Sequence, residues 1–256
     1  MLAEYLGFFS RNGLGDFAFR WLHILAGITW IGLLYYFNFV QVPAFAAYGD
    51  EAKARNMAID KVARRALWWF RWAAISTFAT GILITVVTKD YFSTGFGKSA
   101  GGLAISTGML LGTIMMLNVW GVIWRNQKVV LANAANVLAG GEADPAAAAA
   151  GRKAFMASRQ NVVFSVSMLF FMVYKSHAKT IVYVDIAGSK VGTYWMIAMI
   201  LIAVLEVNAL GLMPWKAQPN KGLNKLYDGP GVRNVLISAF GLWAIFLALT
   251  EIFFKA

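Results

Sequence analysis

The chain has no cysteine and only two histidines among its 256 residues. Without thiols there are no disulfides, no cysteine-ligated iron–sulfur clusters and no covalent c-type haem, which needs a C-x-x-C-H segment. Charge is also scarce: Asp, Glu, Lys and Arg make up 14% of the chain, against roughly a quarter in a soluble domain. Acids are the scarcer sign, 12 against 23 bases, for a net charge of +11. That excess is no nucleic-acid footprint, because the basic residues flank apolar runs as membrane anchors do instead of forming one stripe. None of the five prolines falls inside a predicted span, which speaks against the broken helices of many transporters. Residues 1–16 lack a basic start followed by a long apolar core, so a cleavable signal peptide is not expected there; a short interfacial helix is.

What the chain does have is apolar length. It is 59% hydrophobic with a mean hydropathy of +0.61, and several runs reach the ~20 residues that cross a bilayer. The expectation is an all-α, polytopic membrane bundle with six spans near 17–42, 67–88, 102–124, 160–178, 191–213 and 232–254. The connections at 43–66, 125–159 and 214–231, with Arg233, carry 14 Lys and Arg, against 7 on the opposite side. The positive-inside rule then places both termini on the outer, periplasmic side of a bacterial inner membrane. Within the helical connections at 43–66 and 125–159, residues 50–66 and 145–158 have helix-forming composition, and AAAAAGRKAFMASRQ is expected to run into the fourth span as one long helix. Trp68, Trp69 and Trp72 beside Arg64 and Arg65 form an aromatic belt at the inner face. Gly108 and Gly112 make a G-x-x-x-G that permits close helix approach. No internal repeat is evident, and a single transmembrane domain, 1–256, is expected.

His23 and His177 are costly in hydrocarbon and are therefore the first functional candidates. The topology puts both in the outer half of the membrane, on antiparallel helices, where two imidazoles can hold a haem iron from opposite faces. Zinc fits the inventory less well, since it takes three or four protein ligands. A packed His23 and an interfacial His177 remain the alternatives. Arg20, three residues before His23 on the same helical face, suits a haem propionate or a snorkelling anchor. Glu206 and Asn208 are expected mid-span in the fifth helix, as a proton or polar site or as a buried hydrogen-bonded pair. Arg71 is a candidate partner for Glu206. Asn38, Gln41 and Asn118 read as interhelical hydrogen-bond formers.

RWLHILAGITWIGLLYYFNF (20–39), WFRWAAISTFATGILI (69–84), MMLNVWGVIWRNQKVV (115–130) and SRQNVVFSVSMLFFMVYKSHA (158–178) together resemble the N-terminal domain family of bacterial membrane-bound urate oxidases. The resemblance covers most of 17–178 and implies an inner-membrane bundle that exchanges electrons with periplasmic cytochrome c or other subunits of a redox complex. It puts His23 and His177 on the family's histidine positions. Where the family has a histidine and paired asparagines opening the fourth helix, this chain has Arg159, Gln160, Asn161 and Val162. The C-terminal cytochrome c domain that family members often carry is not expected here. The functional expectation is therefore a b-type cytochrome-like electron-transfer protein holding haem b, with His23 and His177 as axial ligands. The alternatives are a urate-oxidase-like oxidoreductase and a haem-free structural subunit.

Overall fold

In a lipid environment every backbone N–H and C=O must be satisfied within its own segment, and each long apolar run here resolves that demand as a helix. The computed structural model describes residues 15, 17–87, 96–177, 186–229 and 231–254, of 175–177 the backbone alone. The expected interfacial helix at 1–16 lies almost wholly outside the described residues. Six long helices follow in order: α1 Ala18–Ala47, α2 Ala52–Val87, α3 Ala100–Leu138, α4 Ala146–His177, α5 Gly188–Ala209 and α6 Arg233–Phe253. All six are long and apolar enough to cross a membrane, and no strand occurs among the described residues. The chain is thus the all-α polytopic bundle its composition predicts.

The first four helices are longer than a bilayer requires, at 30, 36, 39 and 32 residues. The surplus lies at the end of the bundle that carries the basic connections, where the α1–α2 and α3–α4 links shrink to short turns. The helical stretches expected near 50–66 and 145–158 are part of these extensions. Pro43 does not end α1, because Tyr36–Gln41 just before it is π-helical and already departs from the pairing that the proline ring would break. Two further π-helical segments, Ile59–Ala63 and Val119–Ile123, interrupt α2 and α3 at the same end. At the other end, α3 starts on Ser99, whose hydroxyl accepts the Gly102 N–H at 3.0 Å.

α3 and α4 form the centre: 61% and 67% of their apolar stretches are buried, against 28–33% for the other four helices. A Cβ on Gly108 would meet Phe171 Cβ at 3.3 Å and the Met168 carbonyl oxygen at 3.4 Å, so the absent side chain is what lets α3 lie on α4. On its far side α4 packs on α6, with Phe171 edge-on to Phe246 and Phe170 edge-on to Trp243. α1 pairs mainly with α2. Its contacts with α4 include a Tyr35 hydroxyl bonded to Ser165 Oγ at 2.9 Å and an Asn38 amide donating to Ser158 Oγ at 2.8 Å. Trp21, Ile24, Leu25 and Ile28 on α1 face outward, as lipid-facing residues do. Trp68, Trp69 and Trp72 are exposed in the expected belt.

α5 ends earlier than its apolar run suggests. Gly211 takes a φ of +73°, and the Leu212 N–H turns back to the Val207 carbonyl at 3.1 Å, a glycine stop of the kind that closes many helices. Glu206 and Asn208 consequently sit in the last turn of α5, not in the middle of a span.

Candidate functional site: an anchored histidine and a buried polar centre

His23 is half-buried on the face of α1 that meets α2. Its Nδ1 lies 2.8 Å from the Thr77 carbonyl oxygen and 3.2 Å from Thr80 Oγ1. A carbonyl only accepts, and the Thr80 hydroxyl already donates to the Ser76 and Thr77 carbonyls, so both contacts require a proton on Nδ1. Nε2 then carries the lone pair. This is the second-shell arrangement that holds metal-ligating histidines in one tautomer and orientation. Gly81 makes room for it, since a Cβ there would lie 3.3 Å from His23 Cε1. Arg20 is exposed and close enough to act electrostatically on His23.

His177 closes α4, and its side chain lies outside the described residues. The helical register can still be followed. Val166, Phe170 and Val173 line an open apolar groove with Leu169, Tyr174, Tyr35, Phe240 and Trp243, of about 700 Å³. Position 177 falls on the same face of α4, eleven residues, about three turns, beyond Val166. The described partners of His23 belong to α2. Among the described residues no group of three or more His, Cys, Asp or Glu is gathered to hold a metal ion.

The densest buried polar chemistry lies at the opposite end, around α4. Arg159, Gln160 and Asn161 are successive, fully buried residues of α4, so each points into protein. Asn161 donates to the Met115 carbonyl at 3.0 Å and accepts from Asn118 Nδ2 at 3.1 Å. Asn118 also donates to Glu206 Oε2 at 3.2 Å. Gln160 accepts from the Tyr227 hydroxyl, which burial pushes well above its ordinary pKa. Arg159 donates to the Gly231 carbonyl at 3.1 Å and lies over the Phe155 ring. Two turns earlier on α4, Arg152 grips Asp228 through both terminal nitrogens, at 2.6 and 2.8 Å, and donates its Nε to the Ala217 carbonyl at 2.8 Å. Burial works to raise the Asp228 carboxyl, but the Arg152 hydrogen bonds, the Asn220 N–H and the charges of Arg152 and Arg159 together hold it below the ordinary carboxylate value. The described residues of the connection 210–232 are thus folded down onto α4 and α5. Trp215 seals it by donating to Asn208 Oδ1 at 2.7 Å.

Glu206 and Asn208 therefore belong to this centre, and Asn118 is the partner that the sequence assigned only as a generic hydrogen-bond former. Arg71 does not serve Glu206: its guanidinium stacks 3.8 Å from the centroid of the Trp124 ring. Asn38 bridges α1 to α4 as expected, while Gln41 Oε1 is buried with no hydrogen-bond partner. The sequence reading missed Arg152, Tyr227 and Asp228 as site residues and treated Arg159–Asn161 only as a departure from a family pattern. The available signal was three consecutive polar residues opening an apolar segment. Comparison of the chain with protein-family models, with curated proteins and with solved structures returns no match.

Proposed function

We propose that this chain is a b-type cytochrome-like electron-transfer protein of the bacterial inner membrane. In this reading both termini face the periplasm, and His23 and His177 are the axial ligands of a haem b. The observation that carries the proposal is the His23 tautomer: Nδ1 is held by the Thr77 carbonyl, and Nε2 is left as the electron-pair donor. The apolar groove on α4, walled by Tyr35, Phe170, Tyr174 and Trp243 and in register with position 177, supports a flat apolar cofactor on that helix. A haem held by both histidines would supply one-electron exchange. The protein's own part is to hold the imidazole, to exclude water with aromatic walls and, through Arg20, to offer a cation to an acidic group at the membrane surface. The partner on that face would be cytochrome c or another subunit of a redox complex.

The test is an absorption spectrum of the purified chain, oxidised and dithionite-reduced. The expected result is a b-type Soret and α band that His23→Ala and His177→Ala each shift or abolish. A fully folded preparation without bands, even after reconstitution with haemin, would overturn the proposal and leave the structural-subunit reading. Bands unchanged in both variants would reject the ligand assignment.

A further inference from the structure

We propose that Arg159 is the anchor of a binding site for a small, singly charged anion, closed over by the connection between α5 and α6. The guanidinium is 1% exposed, yet two of its three nitrogens, Nε and Nη1, are buried without any hydrogen-bond partner. The third, Nη2, donates to the Gly231 carbonyl, and the Phe155 ring lies 4.9 Å from the guanidinium carbon. Neither contact neutralises the charge.

The carboxylate that acts on Arg159 is Asp228, and its oxygens are already in use. Oδ1 takes Arg152 Nη1, and Oδ2 takes Arg152 Nη2 and the Asn220 N–H. Arg152 and Asp228 therefore cancel each other, and one buried positive charge is left over. A further orphan donor lies on the next residue: the Gln160 amide nitrogen, whose oxygen partner takes the Tyr227 hydroxyl, is buried and unsatisfied.

Buried N–H groups without acceptors are strongly unfavourable, and a buried cation without a counter-charge more so. Water can accept from the N–H groups but supplies no charge. An anion does both, and a guanidinium edge suits an oxygen pair such as a carboxylate or nitrate. Because the two nitrogens are closed off, the smallest oxyanions, such as formate and nitrate, are the probes that need the least displacement of protein. The inference stands apart from the haem proposal: it concerns the other end of the bundle and uses neither histidine.

The test is thermal unfolding of the detergent-purified chain in sodium formate or sodium nitrate, with sodium gluconate, too large for the site, holding the ionic strength constant. The expected result is a midpoint that rises saturably with formate and nitrate. Arg159→Gln should lose the rise. Arg159→Lys, which keeps the charge but loses the fork, should raise the half-saturating concentration about tenfold or more. If Arg159→Gln does not fold, the Lys variant and the formate–gluconate difference in the unchanged chain still decide. Identical midpoints in formate and gluconate would mean that water alone fills the site. An equal rise in the Gln variant would mean a generic salt effect. Either result overturns the proposal.

Discussion

Replacing Asp228 with Asn should loosen the cap over α4 without changing its shape. The carboxylate accepts three hydrogen bonds, two from Arg152 and one from the Asn220 N–H. An amide in its place turns one acceptor into a donor that faces a guanidinium. Two charge-assisted bonds at about 1.5–3 kcal/mol each set an upper range of about 3–6 kcal/mol, which overlaps the usual cost of about 3–5 kcal/mol for breaking a buried pair. Arg152 retains 21% side-chain exposure and keeps its bond to the Ala217 carbonyl, so part of its charge can be rehydrated. The expected loss is therefore about 2–3 kcal/mol, or roughly 5–10 °C in unfolding midpoint for a chain of this size. Trp215 lies on the same connection, so its fluorescence in detergent reports the local change alongside the global one. Arg152→Ala combined with Asp228→Asn should cost little more than either alone, because the partners are already lost. The pH dependence has a fixed sign. The native carboxyl lies below the unfolded value near ~3.9, so its contribution is complete above that pH and is lost as pH falls through the native value. An Asp228→Asn midpoint within about 1 °C of the unchanged chain, or fully additive losses in the double variant, would refute the assignment of this pair as the cap's anchor.

Gly108→Leu should force α3 away from α4, since even a Cβ there sits at 3.3–3.4 Å from Phe171 and Met168; a loss of about 1–3 kcal/mol is expected in the same unfolding assay. Gly112→Ala, whose Cβ would meet Met168 and Met172 only at 3.8–4.0 Å, should be close to neutral and serves as the control. Tyr227→Phe removes the donor to Gln160 and the Leu205 carbonyl and leaves a fully buried amide oxygen unpaired, at about 1–3 kcal/mol. If Tyr227→Phe is as stable as the unchanged chain, the short Gln160 contact does not bear on stability.

The helices were legible because apolar length is a composition signal, and all six are present. Their true ends were not, and the reason differs from place to place. Trp124–Leu138 continues α3, but with Arg125, Asn126, Gln127 and Lys128 at its start it reads as a polar connection. Outside the bilayer a helix needs only an amphipathic face, buried here through Leu131 and Ala134, and that is a weaker signal than a run of twenty apolar residues. At α5 the opposite happened, and apolar residues beyond Ala209 concealed a stop that depends on the positive φ of Gly211. His23 stood out as a residue, whereas its anchor is a backbone carbonyl 54 positions away, which leaves no side-chain trace. Glu206 and Asn208 stood out too, but their partners Asn118, Tyr227 and Trp215 are gathered from α3 and from the α5–α6 connection. Isolated polar residues in apolar segments can be counted from sequence, while the pairing among them is set by packing.

The two candidate sites lie at opposite ends of one helix, which has a consequence for how each must be tested. Position 177 follows Arg159 by eighteen residues on α4, a rise of roughly 27 Å. Among the described residues no continuous polar network links the ends: between them α4 presents mainly Val162, Val163, Phe164, Met168 and Phe171 to the core, and its buried Ser165 bonds only to Tyr35 and the Val162 carbonyl. Perturbations separated by more than about 10 Å without shared partners add independently. Substituting Arg159 should therefore leave any haem spectrum unchanged, and substituting either histidine should leave the formate dependence of unfolding unchanged. A coupling between the two would require α4 itself to move as a rigid element, since no charged residue and no continuous hydrogen-bonded chain is described between them. Measured non-additivity between His23→Ala and Arg159→Lys would thus point to a displacement of α4 relative to α1 and α3, with the small-residue contact at Gly108 as the place where such sliding meets least resistance.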